Sequence, residues 1–314
     1  MFQENGYSTK AMTCPRVRRI FALFSILTLF VVCFPWKSPA QIRKTCPGGV
    51  TLKVSAGVIP QGALVIAEVL GPKTASNVTS EWDGRPVSLW HEQRWAGLRG
   101  LIGIDLEKTP GRYEWKVSWP GPAGQAESCS VPITVRAGKF PIERLKVDPQ
   151  FVQPNPEQEK RAEEDQKKMK AIYNTVTPEA LWDGEFRMPL KVITSAGNFG
   201  RRRVLNGEAR SPHGGVDLSA KAGTPVYSSQ AGKVVLAENL YYSGNTVVID
   251  HGYGIFTLYA HLSEIGVQAG EMVKSWEEIG KVGATGRVTG PHLHWGLTID
   301  HARVNAMDIE RLQP

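Results

Sequence analysis

Five side chains in the C-terminal half of the sequence are of types that bind divalent metal ions and transfer protons. His213 and Asp217 are four residues apart, His292 and His294 are two apart, and His261 stands near the end of an apolar run. Even spacing places side chains on one face of a β-strand. If the strands that carry them are neighbours in one sheet, we expect all five groups to meet in one groove.

These residue types suit a catalytic zinc ion. Zinc binds imidazole nitrogen and carboxylate oxygen in tetrahedral geometry, and a catalytic site keeps one of the four positions open. Such an ion polarises a carbonyl and lowers the pKa of a water. Two further histidines can then serve as general base, general acid or oxyanion donor. Gly214 follows the first histidine, so the glutamate of the His-Glu-x-x-His zinc peptidases is not available for that task.

A single pair of evenly spaced polar residues is a weak signal, because such spacing arises by chance in strands. The convergence of five residues, with glycines beside several of them, favours a site. The remaining histidines are interpreted as structural residues: His251 in a hairpin loop, His91 in the N-terminal part and His301 near the C-terminal end.

The same stretch of sequence closely resembles the lysostaphin/LytM-type zinc metallopeptidases, which are peptidoglycan endopeptidases. The resemblance covers about Pro189 to Ile299, and its motifs are specific in combination. The matching stretches are His213-Gly214-Gly215-Val216-Asp217-Leu218, Gly223-Thr224-Pro225-Val226, Ile249-Asp250-His251-Gly252, Tyr259-Ala260-His261-Leu262, Gly283-Ala284-Thr285-Gly286 and Thr289-Gly290-Pro291-His292-Leu293-His294.

This resemblance implies a role for each of the five residues. It implies that His213, Asp217 and His294 bind one zinc ion per chain, and that His261 and His292 are catalytic histidines that do not bind the metal. It also implies antiparallel sheets that enclose a groove, and zinc-dependent hydrolysis of the peptide cross-links of bacterial peptidoglycan.

A basic segment, Phe199-Gly200-Arg201-Arg202-Arg203, precedes the first predicted ligand. It is similar to the loop that the family has there, in which an arginine follows a Phe-Gly pair. Its arginines, Arg201 to Arg203, could hold carboxylates of a stem peptide through charge-assisted hydrogen bonds, or could form a solvated basic loop. We expect Arg202 to contact substrate, together with Tyr259 on the strand that leads to His261.

Two other functions are consistent with the sequence. The chain could be a catalytically silent regulator of LytM type that binds another wall hydrolase, or a wall-binding structural module that uses basic charge and tryptophans for adhesion. A silent relative would be expected to have lost ligands, and all five positions match here. The enzyme interpretation is therefore favoured.

The elements that must position these residues are mainly β-strands. Residues 41–140 are predicted to form an immunoglobulin-like β-sandwich, because about seven short strands separated by Gly/Pro turns occur in roughly 90 residues. Residues 141–187 are predicted as a helical connector, whose charged helix is expected to be solvated and begins at a capping box at Asn155. Residues 188–314 are predicted as the LytM-type domain. The sandwich could be a spacer, a binding module or a cover over the groove. The predicted strands include Thr51–Val54, Leu64–Leu70, Tyr113–Trp119, Thr246–Asp250, Ile255–His261 and Leu293–Ile299.

Residues 1–40 have the features of an export segment. Three arginines between positions 16 and 19 precede an apolar run over positions 20–34, which Pro35 closes, and small residues follow at positions 38 and 40. This pattern is typical of a secretory signal peptide, with a signal anchor as the alternative. We expect the protein in the periplasm or cell envelope, or secreted, with membrane contact only through this segment if it is uncleaved.

Two cysteines and the net charge bear on compartment and partners. Cys46 and Cys129 follow the export segment and are expected to pair as a disulfide in an oxidising space, the alternative being two buried thiols. The net charge of +7 favours anionic surfaces. No arginine-rich arm or aromatic RNA-binding motif accompanies it, so nucleic acid is not expected as a partner. The expected partners are peptidoglycan stem peptides and cross-bridges.

Overall fold

The structure is a computed structural model that describes residues 40–71, 77–91, 97–121, 124–146 and 152–312. The predicted export segment lies outside these residues apart from Ala40. Within the described residues, no helix combines the length and the apolar character needed to cross a membrane. The described chain is mainly β, as predicted.

The N-terminal part forms two five-stranded sheets. Their orders are β1-β2-β4-β8-β7 and β3-β10-β9-β5-β6. The strands are β1 (Ile42–Thr45), β2 (Thr51–Val54), β3 (Val58–Pro60), β4 (Leu64–Leu70), β5 (Thr79–Trp82), β6 (Arg85–Pro86), β7 (Leu89–His91), β8 (Gly97–Gly103), β9 (Gly111–Pro120) and β10 (Ala126–Arg136).

The two sheets share one hydrophobic core. Strand β9 alternates as its sequence predicts, since Trp115, Val117 and Trp119 are buried in this core and the residues between them are not. The runs β2-β4-β8-β7 and β10-β9-β5 have the A-B-E-D and G-F-C order of an immunoglobulin sandwich, which supports that prediction. A disulfide joins Cys46, ahead of β2, to Cys129 in β10.

A strand and a helix connect the sandwich to the C-terminal part. They are β11 (Ile142–Leu145) and α1 (Pro156–Tyr173). The helix begins at the predicted capping box: the Asn155 side chain accepts from the Gln158 backbone N–H at 2.9 Å, and the Gln158 side chain accepts from the Asn155 N–H at 3.0 Å. Strand β11 shows that the connector is not wholly helical.

Helix α1 packs on the C-terminal sheet and is not solvated on all sides. Its apolar residues Met169, Ile172 and Tyr173 contact a buried cluster of the sheet that includes Leu236 and Phe256. These residues recur at the spacing of one helical face. The helix is therefore fixed in place as a wall of the C-terminal part.

The C-terminal part contains a three-stranded sheet, β11-β13-β14, and a ten-stranded sheet. The path of the large sheet is β12-β15-β22-β19-β18-β17-β20, with β16, β21 and β23 paired beside it. The strands are β12 (Ser195–Gly197), β13 (Arg202–Leu205), β14 (Glu208–Ala209), β15 (Val216–Ser219), β16 (Pro225–Tyr227), β17 (Gly232–Leu240), β18 (Gly244–Asp250), β19 (Ile255–Ile265), β20 (Met272–Val273), β21 (Glu278–Val282), β22 (Leu293–Ile299) and β23 (Ala302–Val304).

The sandwich and the C-terminal sheet are packed together. Leu64 and Leu101 of the sandwich belong to the same buried cluster as the core of the large sheet. The Arg303 guanidinium donates to Asp105 at 2.9 Å and to Glu107 at 2.8 Å. Apolar burial and charge-assisted hydrogen bonds thus hold the two parts against each other.

Candidate active site

Three neighbouring strands bring the predicted site residues together. Asp217 on β15 lies directly opposite His294 on β22, and His294 lies opposite Ala260 on β19. Directly opposite residues of an antiparallel pair have adjacent side chains on one face. The pairing of β15 with β22 therefore places the carboxylate beside the imidazole.

His213 reaches the site from a loop and not from a strand. We predicted that one strand carries both His213 and Asp217, but β15 begins only at Val216. The chain approaches the site closely at Gly215, where a Cβ atom would lie 2.7 Å from His294 Nε2. Only glycine fits that approach, which gives the second glycine of the motif its physical reason.

A β-bulge aims His261 at the same site. Tyr259 on β19 pairs with Val247 on β18, and Leu262 pairs with Asn245. The two pairs are three residues apart on β19 but only two apart on β18, so β19 contains one extra residue. The backbone of His261 is left-handed, with φ of 63°, a conformation that is uncommon outside glycine. Bulges of this kind re-aim a side chain and are frequent beside active sites.

The three predicted ligands meet in a tight triangle. His213 Nε2 lies 2.8 Å from His294 Nδ1 and 3.0 Å from Asp217 Oδ1, and the latter two atoms are 3.1 Å apart. Ligands about 2.0–2.1 Å from a tetrahedral zinc ion are roughly 3.3 Å from one another. The donor set and its spacing therefore fit a metal ion with three protein ligands.

Burial and hydrogen bonding set the charges of this triangle. Burial lowers the pKa of His213 to about 4, with the neighbouring His294 adding to the effect. Burial alone would raise the pKa of Asp217, but its close contacts with the imidazoles of His213, His292 and His294 hold the pKa well below its usual range. A neutral imidazole and an ionised carboxylate are the forms that bind a metal ion.

A second layer of residues orients the ligands. The Nδ1–H of His213 donates to the Asn198 carbonyl at 3.0 Å, so Nε2 is the nitrogen that faces the triangle. Asn198 Nδ2 and Arg203 Nη2 donate to Asp217 Oδ2 at 3.1 and 3.3 Å. Partners of this kind fix the tautomer and direction of metal ligands.

Two further imidazoles stand beside the triangle. His261 and His292 donate from Nδ1 to the carbonyls of Thr285 and Gly290, at 2.9 and 2.8 Å. Their rings are 5.0 Å apart, and His292 Nε2 lies 3.5 Å from Asp217 Oδ1. In both rings Nε2 is the nitrogen left for proton transfer.

The two imidazoles have opposite electrostatic surroundings. Burial, together with His294 and His292, lowers the pKa of His261 to about 3. Burial also opposes the charged form of His292, but the hydrogen bond and charge of Asp217 outweigh it and raise the pKa of that imidazole.

Residues 211–306 match the model of Peptidase family M23. This segment is an M23 peptidase domain. The M23 domain contains all five predicted site residues, and its boundaries include the strands β15, β19 and β22 that position them.

Curated relatives match about a third of the chain. A peptidoglycan DD-endopeptidase of Vibrio cholerae, ShyA, is 49% identical over 111 residues, which are 35% of this chain and 26% of the relative. A DD-carboxypeptidase/endopeptidase of Neisseria meningitidis, Mpg, is 44% identical over 97 residues, which are 31% of this chain and 22% of the relative. The chain thus spans about a quarter of the length of these relatives.

A solved structure is similar over a larger part of the chain. A candidate M23 peptidase from Pseudomonas aeruginosa is 27% identical, with a TM-score of 0.55, and the match covers 78% of this chain and 92% of that one. Because residues 211–306 are less than a third of the chain, the likeness extends well beyond the M23 domain.

The structure corrects the predicted substrate contact of Tyr259. Its side chain is 0% exposed. Its hydroxyl accepts from the Ser229 backbone N–H at 2.7 Å and lies 3.0 Å from the Thr257 hydroxyl. The bulge in β19 is the reason: it turns His261 toward the site, whereas Tyr259 remains on the core face. Tyr259 is a core residue of the M23 domain, and its side chain presents no exposed surface to a substrate.

The three arginines before the M23 domain occupy different positions. Arg202 is exposed on β13, Arg201 Nη1 donates to Glu143 at 2.8 Å, and Arg203 binds Asp217. Arg203 Nε also lies 3.7 Å from Glu143. A chain of charges therefore runs from Glu143 on β11 through Arg203 to a predicted metal ligand.

Sequence analysis missed Asn198 and Glu143. Asn198 directly precedes the Phe199-Gly200 pair that marks the family loop, so its position was a usable signal. Glu143 carries no such signal, because it reaches the site only through the parallel pairing of β11 with β13.

Proposed function

We propose that this chain is a zinc-dependent endopeptidase that hydrolyses the peptide cross-links of bacterial peptidoglycan. The observation that carries the proposal is the meeting of His213, Asp217 and His294 at 2.8–3.1 Å, with two further imidazoles beside them. Relatives named as peptidoglycan DD-endopeptidases, with 49% identity over 111 residues and 42% identity over 115 residues, support the substrate class.

Three atoms would hold the ion: His213 Nε2, His294 Nδ1 and Asp217 Oδ1. A bound zinc ion supplies Lewis-acid chemistry, since it polarises a peptide carbonyl and makes a water more acidic. Asn198 and Arg203 engage Asp217 Oδ2, which leaves Oδ1 to face the two imidazoles. Neutral imidazoles and one carboxylate leave such a site with net positive charge, as hydrolysis requires.

His261 and His292 would divide the proton transfers. One imidazole, in its neutral form, accepts at Nε2 the proton of the attacking water. The other, in its charged form, donates a hydrogen bond from Nε2–H to the oxyanion and then transfers that proton to the departing amine. Exchange with solvent afterwards removes the proton from the first ring and returns one to the second. The hydrogen bonds from Nδ1 to Thr285 and Gly290 hold both rings in the orientation that this exchange needs. Positioned histidines contribute about 10²–10⁴-fold in such steps.

The proposal assigns a part to each region of the chain. Residues 1–40 would export the protein, residues 41–140 form the immunoglobulin-like sandwich, residues 141–187 connect, and residues 188–314 form the peptidase domain. Export places the enzyme in the periplasm or cell envelope, where peptidoglycan lies. Arg202, exposed on β13, would contact carboxylates of the stem peptide.

Purified cross-linked muropeptide dimers test the function. We expect the zinc-loaded wild type to convert dimers to monomers, with the new termini identified by mass analysis. His294→Ala should lose both the bound metal and all cleavage, because it removes one of three ligands. The matched control is His91→Ala, since His91 is an exposed histidine of the sandwich.

Two results would contradict the proposal. Undiminished cleavage by His294→Ala would remove the metal site from the mechanism. A wild type that holds no zinc after zinc-replete purification, and leaves dimers and intact sacculi uncut, would favour the silent regulator of another wall hydrolase.

A further inference from the structure

A turn between β12 and β13, the Asn198 turn (residues 198–201), lies directly against the predicted metal ligands. The Asn198 carbonyl accepts from the Nδ1–H of His213, and the Asn198 side chain donates to Asp217 Oδ2. The Gly200 N–H donates to the His213 carbonyl at 2.8 Å. One short turn therefore sets the position of two of the three ligands.

The backbone of this turn is strained at Asn198. Its φ of 76° is in the left-handed region, which asparagine tolerates better than most residues but which is uncommon outside glycine. Such a conformation is costly and persists only where the surrounding structure imposes it. Contacts that surround the turn are therefore needed to keep Asn198 in place.

Phe199, the next residue, packs on a glycine of the sandwich. A Cβ atom added at Gly62, between β3 and β4, would lie 2.4 Å from Phe199 Cε1. Only glycine admits the ring at that distance. The Gly62 N–H donates to the Ile104 carbonyl at 2.9 Å, and its carbonyl accepts from the Asn305 N–H at 2.7 Å. The backbone that contacts Phe199 is thus held by both the sandwich and the M23 domain.

A second aromatic ring packs on the turn from the end of the sandwich. Phe140 follows β10, and a Cβ atom added at Gly200 would lie 2.2 Å from its Cδ1. The rings of Phe140 and Phe199 meet edge to face, with centroids 6.2 Å apart, a favoured geometry for aromatic pairs. Two contacts between a ring and a glycine therefore connect the turn to the sandwich.

An open cleft of about 690 Å³ borders both contacts. Gly62, Phe140, Asn198 and Phe199 all line it. Because the cleft offers free volume, close packing does not hold the turn on that side. The position of the turn therefore depends on the two ring contacts.

We propose that the β-sandwich is a structural part of the metal site, and that Phe199 is the positioning residue that connects them. Gly62 and Phe140 hold the Phe199 ring. The ring keeps Asn198 in its left-handed conformation, and Asn198 orients two of the ligands. This role rests on the zinc site of the proposed function.

Zinc affinity, measured by competition with a chelator, tests this role. Phe199→Ala removes the ring and should weaken zinc binding about 10–100-fold, the loss typical when a residue that orients metal ligands is replaced. Phe199→Leu keeps an apolar side chain against Gly62 and should recover most of the affinity. Unchanged affinity in Phe199→Ala would overturn the proposal.

Trp90→Ala is the matched control for a contact between the two parts of the chain. Trp90 of β7 stacks on Tyr253 of the M23 domain, with ring centroids 5.2 Å apart. Its loss removes an aromatic contact of the same kind at another place, so we expect unchanged zinc affinity. An equal loss in Trp90→Ala and Phe199→Ala would show a general effect of loosening the two parts, and would overturn the role of Phe199.

A methyl group at Gly62 tests the contact from the side of the sandwich. Gly62→Ala should displace the Phe199 ring and weaken zinc binding, but should cost no further affinity in the Phe199→Ala background. Gly84→Ala is the matched control: Gly84 is also in the sandwich, with φ of 72°, and nothing lies within 4 Å of its added Cβ. It shares the backbone strain and should leave zinc affinity unchanged. Additive losses from Gly62→Ala and Phe199→Ala would contradict the contact.

Hydrogen exchange of the full chain without added zinc separates this role from the proposed function. The backbone N–H groups of Gly200 and His213 should exchange about tenfold faster in Phe199→Ala than in the wild type, with the sandwich amide of Val117 unchanged. Should the wild type bind no zinc, the proposed zinc site fails, and faster exchange at these two amides still supports the positioning of the turn. Unchanged exchange at both would overturn the positioning role, whatever the zinc affinity.

Discussion

Two clusters of buried polar side chains lie in the C-terminal part of the chain, and both are built around histidine. In the first, the Nδ1–H of His251 donates to the Ala231 carbonyl at 2.8 Å, so Nε2 accepts from the Thr257 hydroxyl at 2.7 Å. Thr257 in turn contacts Tyr259, which contacts Ser229. Each ring nitrogen of His251 therefore has a partner within the chain.

In the second cluster the ring nitrogens converge on one another. His213 Nε2, His294 Nδ1 and Asp217 Oδ1 are all within 3.1 Å of each other, and each brings a lone pair. Lone pairs at these distances repel unless a cation or shared protons lie between them. This arrangement suits a metal ion, whereas the first cluster suits a rigid core.

The comparison teaches that burial does not distinguish a structural histidine from a ligand. Burial lowers the pKa of both His251 and His213 to about 4. What differs is the partner of Nε2. In His251 this nitrogen meets the Thr257 hydroxyl, whereas in His213 it meets the two other predicted metal ligands, His294 and Asp217. Sequence analysis assigned His251 correctly to structure, although its position in a hairpin loop gave no sign of complete burial.

The largest expected difference between the clusters is catalytic. His292→Ala should lower kcat/KM on muropeptide dimers by about 10²–10⁴-fold, because it removes a proton-transfer group. Zinc content should stay at one per chain, measured by elemental analysis, since the three ligands remain. Loss of the metal in this variant would instead make His292 a ligand.

His251→Ala should act on stability alone. It leaves the Ala231 carbonyl and the Thr257 hydroxyl without their partner and opens a cavity, so we expect a loss of about 2–4 kcal/mol in the free energy of unfolding. Urea unfolding of the zinc-loaded protein measures it. Normal stability with reduced zinc content would break the comparison.

Acid should affect the first cluster in a defined direction. The folded pKa of His251, about 4, is below its usual 6.5, so the unfolded chain binds the extra proton first. The stabilisation of the fold by neutral His251 is complete above pH 6.5 and is lost as the pH falls toward 4. Between pH 7 and pH 5 the wild type should lose about 2 kcal/mol more unfolding free energy than His251→Gln. Parallel losses in both proteins would refute this.

The smallest expected effect concerns the second layer of the metal site. Arg203→Gln removes a charged hydrogen-bond donor from Asp217 and should weaken zinc binding about tenfold. This is the smaller end of the loss in metal affinity that is typical when a residue orienting a metal ligand is replaced. Competition with a chelator measures the affinity. The adjacent variant Arg202→Gln serves as control and should leave zinc affinity unchanged, since Arg202 lies exposed on β13. Equal affinities in all three proteins would show that Arg203 does not position the ligand.

Local patterns predicted several elements correctly. Strands β2, β4 and β22 have the bounds predicted from alternation and turn residues, and the capping box at Asn155 begins α1. Period-two alternation and caps depend on residues a few positions apart. They are therefore readable without knowledge of the fold.

Departures from local pattern were the source of the errors. Regular alternation placed Tyr259 and His261 on one face, but the bulge in β19 separates them. The charged sequence of α1 indicated a solvated helix, but its few apolar residues pack on the sheet. Both outcomes depend on neighbouring strands that the sequence of the element does not specify.

The amino-acid sequence by itself determined the chemistry of the candidate site, because the types and short spacing of its histidines and aspartate are local properties. The tertiary structure alone decided which distant residues contact these side chains and hold them in place. Asp217 meets a histidine 77 residues away, and Arg201 meets Glu143 across 58 residues. Contacts at such separations come from strand pairing and helix packing, which follow from burial of the whole core and not from any one motif.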